Sequence, residues 1–326
     1  MTASRDSILV TGGAGFVGSH FARAAVEAGS RVIVLDDLSA GSAPRLPEAI
    51  VQVRGDIADR ELVARLLELH RVTAVVHFAG KIAVGESIGE PALYYDHNVV
   101  RALALLETVR AHGPKTFVFS SSAAVYGTPD EMPIAESARL EPINPYGATK
   151  LAIERALAAY GSAYGLRWAA LRYFNAAGAH PDGTLREAHE PETHLIPLVI
   201  DAALGRRPPL QIFGADYPTP DGTCIRDYVH VCDLARAHLA ALDALDAGRA
   251  VDCTNLGSGR GASVREVIDA TTRVLGRPVP FAHAPRRAGD PPVLLASTER
   301  AVELLGWRAE RSELATVIED AARSRS

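Results

Sequence analysis

The chain has 326 residues, of which 48% are apolar and 22% charged, and its formal net charge is −5. That balance belongs to a globular protein with a sizeable core. The basic residues are dispersed and no apolar run reaches the ~18 residues of a membrane span, so neither nucleic acid nor a membrane is an expected partner.

Taken in chain order, apolar, β-branched runs at 8–11, 31–35, 50–53, 74–78 and 116–120 alternate with helical patterns at 16–28, 59–70, 91–112 and 145–164. Continuous apolar strands separated by helices predict a parallel sheet covered on both faces, an α/β doubly wound, Rossmann-type fold. Beyond about residue 175 the pattern becomes irregular, with "AHPDGTLREAHEPETH" and "DYPTPDGT" reading as polar loops, and helices return at 194–204, 233–246, 263–275 and 312–322. We expect residues 1–175 to form a nucleotide-binding domain to which some later segments return. Residues 176–326 are then mainly a smaller, interleaved α/β substrate region. Cys224, Cys232 and Cys253 lack CxxC spacing, so no disulfide framework and no metal site are expected. The first strand begins without a basic, apolar leader before it, which favours the cytoplasm.

The segment "ILVTGGAGFVGSH" places glycines between a strand and a helix start. Gly13, Gly15 and Gly18 fit GxGxxG, and Gly12, Gly15 and Gly18 fit GxxGxxG. Such glycines permit a tight turn and close approach to a pyrophosphate, which the helix N-terminus then binds. Asp36 ends the next strand, where a carboxylate accepts from ribose hydroxyls. With Asp37 following and no arginine beside them to compensate, NAD is favoured over NADP. Asp56 and Ile57 follow the third strand. Asp56 could meet the adenine edge or simply cap a helix.

Only three lysines occur against 31 arginines, and Lys150 stands four residues after Tyr146 in "INPYGATK". Asn144 and Pro145 form a helix start, putting Tyr146 and Lys150 on one face. A phenol of ordinary pKa ~10 is a poor base near neutrality, and a neighbouring ammonium makes its anion more accessible. Upstream, "TFVFS" runs into "SSSAAVYG" at a strand end where open α/β sheets present catalytic groups. Ser122 is the serine placed to share the reacting oxygen with Tyr146, although any of the three could cap a loop.

Together, "TGGAGFVGSH", "SSSAAVYG", "NPYGATK", "RYFNAAGAHPDG", "DYPTPDGTCIRDYVHVCDLA", "NLGSGRGASVREV" and "RRAGDPP" resemble the UDP-glucose (UDP-galactose) 4-epimerases of the extended short-chain dehydrogenase/reductase superfamily, from about Ile8 to Trp307. The resemblance implies reversible 4-epimerisation of a UDP-hexose through a 4-keto sugar, with retained NAD, Tyr146, Lys150 and Ser122 as catalytic residues, and a homodimer built on the helices at 91–112 and 145–164. For the cofactor it further implies Phe16, Val17, Phe78, Ala79, Gly80, Asn98 and Ser120. For the nucleotide sugar it implies Asn175, His194, Leu195, Phe213, Arg226, Arg287 and Asp290. Tyr173 and Phe174 fall near the nicotinamide or in the core. Three positions depart from the pattern: Lys81 is displaced by one residue, Ala124 lacks a hydroxyl, and His194 replaces an asparagine. Leu294 stands where residue size sets the room around the sugar C2 substituent, so other UDP-sugars stay open. A 4,6-dehydratase is disfavoured, because Ala123-Ala124 stand in place of its Asp-Glu pair. A non-catalytic NAD sensor would be expected to lack Tyr146 or Lys150.

Overall fold

The first strand, β1 (Ile8–Thr11), is wholly buried, as expected of an apolar run with a neighbour on each side. It leads into α1 (Phe16–Glu27) and β2 (Val32–Asp36). In this computed structural model, which describes residues 7–39, 46–189, 191–287 and 290–325, the alternation continues through β3 (Val51–Arg54), α2 (Arg60–Leu69), β4 (Ala74–His77), α3 (Val84–Gly89) and α4 (Pro91–Tyr95). A π-helical turn, Asp96–Val100, joins α4 to α5 (Arg101–His112). Then come β5 (Thr116–Ser122), a 3-10 turn Ala123–Tyr126, α6 (Pro145–Tyr164), β6 (Arg167–Tyr173) and β7 (Asn175–Ala177).

The later part comprises α7 (Leu195–Ala203), β8 (Leu210–Phe213), β9 (Ile225–His230), α8 (Val231–Asp246), β10 (Asp252–Leu256), β11 (Gly261–Ser263) and α9 (Val264–Leu275), followed by β12 (Phe281–Ala284), β13 (Val293–Leu294), α10 (Glu299–Leu305) and α11 (Leu314–Arg323). Seven strands form one parallel sheet in the order β10-β6-β5-β4-β1-β2-β3. Two apolar clusters cover its faces. One joins α1 and α8 through Phe21, Leu234 and Leu242, and the other joins α2, α5 and α6 through Leu66, Leu105 and Ile153. Strand order reverses beside β1, so the crevice beyond the carboxyl ends of β1 and β4 is the ligand position of a doubly wound sheet.

β7 and β9 pair in parallel, β11 and β13 flank β9, and β8 pairs with β12. A third apolar cluster, including Ile196, Val199, Ile268 and Ile318, holds these pieces together beneath α7, α9 and α11. β6 and β10 add two sheet strands that the apolar runs do not announce, and the expected helix at 91–112 is broken into α4, a π turn and α5. No described helix is long and apolar enough to cross a membrane.

Candidate functional site

The carboxyl ends of β1 to β4 open into a cleft of about 250 Å³. Ten of the residues expected at a cofactor line it: Gly12, Gly15, Phe16, Asp36, Asp37, Asp56, Ile57, Phe78, Ala79 and Gly80. Gly12 adopts φ +70°, and a Cβ there would overlap the Ala79 backbone. Gly18 is buried against the Gly12 carbonyl, and Val17 packs into the apolar cluster under α1, so both shape the loop from behind. Asp36 holds the loop with one oxygen, accepting from Ala14 N–H at 2.9 Å, while the other accepts from Leu38 N–H at 2.9 Å. A second lone pair on each oxygen is left for hydroxyl donors. Asp37 is held below the usual carboxylate range by Ser39 donors acting against its burial.

Asp56 is not the cap of α2; Asp59 is, accepting from Leu62 N–H at 3.0 Å. Asp56 instead accepts from Ala58 N–H and pairs with Arg101 at 2.5 Å, and Arg101 also pairs with Asp96 at 2.8 Å. Arg101 is thus neutralised by two carboxylates and offers little to a 2′-phosphate. Asn98, 4% exposed, lies behind the cleft: it accepts from Lys81 N–H at 2.7 Å and donates to Lys81 O and Thr149 Oγ1. In this position Asn98 holds the Gly80-Lys81 backbone that forms the cleft wall. The displaced Lys81 still lines the cleft.

At the end of β5 the three serines divide their tasks. Ser120 accepts from Lys150 Nζ through its carbonyl at 2.8 Å. Ser121 donates to Glu154 at 2.5 Å, and Ser122 accepts from Ala124 N–H at 3.2 Å and lies beside the Tyr146 phenol. Asn144 caps α6 as expected, accepting from Gly147 N–H at 2.9 Å, and Gly147 lets the helix start lie against the Ala124 carbonyl. Burial raises the Tyr146 pKa and Ser122 partly offsets it. Lys150 lies 5.8 Å from the Tyr146 ring centroid, and burial pushes its ammonium down to about 8 against the pull of Glu154. Glu154 is held by a two-pronged ion pair with Arg172 at 2.7 and 2.8 Å. Tyr173 sits in the core under the sheet end, its hydroxyl buried without a hydrogen-bond partner, and burial raises its pKa. Phe174, Leu294 and Ala123 share an apolar cluster with Tyr126 and Leu151.

On the other lobe, Asn175 opens β7 opposite Tyr228, and His194 precedes α7 as its cap residue. Leu195 packs partly into the cluster beneath α7. The Arg287 guanidinium stacks 4.0 Å over the Phe213 ring, beside a groove lined by Tyr217, Arg286, Arg287 and Asp290. Arg226 is ion-paired to Asp290. These two, expected to face a diphosphate and a ribose separately, are joined to each other here. Ala288 and Gly289 of the "RRAGDPP" motif lie outside the described residues.

The sequence profile of the NAD dependent epimerase/dehydratase family matches residues 8–257. The chain belongs to this family. A UDP-glucose 4-epimerase of Azospirillum brasilense is 50% identical over 320 residues, 98% of this chain and 92% of that protein. The crystal structure of UDP-glucose 4-epimerase from Brucella ovis in complex with NAD is 48% identical, covers 97% of each chain and superposes with a TM-score of 0.93. That of a UDP-glucose 4-epimerase from Stenotrophomonas maltophila with bound NAD and formylated UDP-arabinopyranose is 40% identical over 98% of each chain, with a TM-score of 0.92.

As in any epimerase/dehydratase family member, the cofactor must fit the glycine loop, and here it does: Gly12 leaves space no side chain could share, and Asp36 keeps acceptor capacity for a ribose. Residues that sequence reasoning missed include His97 and Arg101, which reach the cleft from the π turn and the start of α5, and Thr184, Arg186, Ala188 and His189, which close it from a long loop. No short motif marks them. Their signal is their position in space.

Proposed function

We propose that the protein interconverts UDP-galactose and UDP-glucose by reversible epimerisation at the sugar C4. The observation that carries this is the convergence of three residues at the carboxyl edge of the sheet that also bears the glycine cleft: Ser122 ends β5, and Tyr146 and Lys150 share the first turns of α6, with Lys150 Nζ 5.8 Å from the Tyr146 ring centroid. When bound, NAD supplies the acceptor and donor of a hydride at C4. Tyr146 takes the proton from the 4-hydroxyl and returns it to the 4-oxo sugar, while Ser122 donates to the same oxygen. Lys150, anchored on the Ser120 carbonyl, keeps a positive charge under the phenol ring and favours the phenolate at the moment of proton transfer. Because the hydride is returned, no net oxidation occurs. Arg287 over Phe213, with Arg226, Asp290, His194 and Asn175, would hold the uridine and diphosphate. Leu294 packed beside Phe174 leaves more room than an aromatic residue would, which supports a second reading with another UDP-sugar, an N-acetylhexosamine, pentose or uronate.

A cytoplasmic homodimer is part of the proposal. Tyr95 and Val100, 45% and 60% exposed on the α4–α5 segment, support an interface on this side of the molecule. Light scattering on a sizing column should give twice the 34.6 kDa chain mass; a monomer would count against it. The activity is tested by incubating the purified protein with UDP-galactose, without added NAD, and following the anomeric proton of UDP-glucose by NMR. UDP-N-acetylgalactosamine and UDP-arabinopyranose run in parallel. Conversion without cofactor supports both the cycle and NAD retention. No conversion of any of them, even after NAD is added, overturns the reading.

A further inference from the structure

Outside the catalytic constellation, one group of side chains among the described residues brings four donor atoms together. Glu187, His189, Glu192 and His194 each place one ligand atom within 4.8 Å of the other three. Glu187 Oε1 lies 2.7 Å from His194 Nδ1 and 3.2 Å from His189 Nδ1, and Glu192 Oε1 lies 3.2 Å from His194 Nδ1. Four ligands at Zn–N and Zn–O bond lengths of ~2.0–2.2 Å on a tetrahedron stand about 3.3 Å apart; these three pairs lie near that spacing, and the remaining ones need to draw in from no more than 4.8 Å. His189 Nδ1 is buried and lacks a hydrogen-bond partner despite its nearness to Glu187, so one donor converges on the group unused. Arg325 does not consume the negative charge, because its guanidinium reaches Asp201 at 2.8 Å and only the far oxygen of Glu192 at 3.4 Å.

We propose that these four residues bind a first-row divalent transition-metal ion such as Zn²⁺ or Co²⁺. Two imidazoles and two carboxylates suit such ions better than Mg²⁺ or Ca²⁺, which prefer all-oxygen shells. The ion replaces protons otherwise shared between His194 and the carboxylates, and it leaves Nε2–H as the remaining donor of each imidazole. Its effect is that of a staple. Glu187 and His189 lie in the loop that closes the cofactor cleft, and His194 immediately precedes α7, so one ion fixes the cleft wall to the second lobe. The signature is Glu-x-His-x₂-Glu-x-His, a spacing outside the cysteine-based patterns that sequence reading searched.

The test uses the full-length protein carrying no polyhistidine tag, stripped with chelator and titrated with Co²⁺, with His189→Ala and Glu192→Gln alongside. The expected result is one Co²⁺ per chain with the visible ligand-field bands of a tetrahedral site, binding weakened at least tenfold in each variant, and a rise in Tm with Zn²⁺ in the parent alone. Equal binding by parent and variants, an adventitious ion only, overturns the proposal, as does the absence of stoichiometric binding by the parent. Melting without metal checks that each variant is folded. If His189→Ala does not fold, Glu192→Gln, which keeps the size of the side chain, decides.

Discussion

Lys150 Nζ sits 4.9 Å above the Phe119 ring with one carbonyl acceptor, a place for a compact ammonium rather than a five-donor guanidinium fork. That is why a lysine stands here in an arginine-rich chain. With its pKa near 8, Lys150 loses its charge as pH rises through that value. We therefore predict that kcat declines above about pH 8, read from a pH–rate profile. Lys150→Met should remove that limb and lower kcat. Tyr146→Phe should lower kcat by about 10²–10⁴-fold, the usual worth of a general acid–base group, with KM changed far less. A KM effect as large as the kcat effect would place Tyr146 in binding instead. The motif around these residues was legible because Asn144, Pro145, Tyr146 and Lys150 are local in sequence. The pKa balance was not, because it depends on burial and on Ser122, 24 residues upstream.

Helix α6 shows how far elements could be read in advance. Its predicted range, 145–164, matches the structure end to end, with an asparagine cap, a first-turn proline and Gly165 in the left-handed conformation as C-cap. β6 and β10 escaped notice because tertiary partners license polar residues within them. Arg172 in β6 is neutralised by Glu154, and Asn255 in β10 accepts from Tyr126 and takes its backbone partner from Glu136. The π turn at Asp96–Val100 was equally invisible, since it spans only five residues and carries no glycine, proline or side-chain cap that would mark a break between α4 and α5. Breaking the Glu154–Arg172 pair, 3% exposed on both sides, leaves a buried charge. Arg172→Met should cost about 3–5 kcal/mol in urea unfolding. The double substitution with Glu154→Met should recover much of that loss. If Arg172→Met is as stable as the parent, the network does not hold the strand end.

For the molecule as a whole, four buried imidazoles govern behaviour in mild acid. Burial pushes His77 down to about 3, with Lys150 adding to the effect, and His20 and His238 down to about 4, and it lowers His230 as well. An unfolded chain protonates them near ~6.5. Between about pH 6.5 and 5 the unfolded state holds more protons, so stability falls as pH is lowered through that window. Urea midpoints at pH 7, 6 and 5 should decline in order; a flat series would mean that these rings are charged in the folded state.

The strand order also sets a timetable for synthesis. β6 enters the sheet beside β5, but its outer edge is covered only by β10, about 80 residues later in the chain. At ~5–20 residues per second a ribosome needs roughly 4–16 s to deliver that cover. Throughout that interval the nascent chain presents an unpaired, largely apolar strand, the kind of edge that recruits other chains. Output of this enzyme in a cell should accordingly be sensitive to translation rate and to chaperone supply, even where the finished protein is stable.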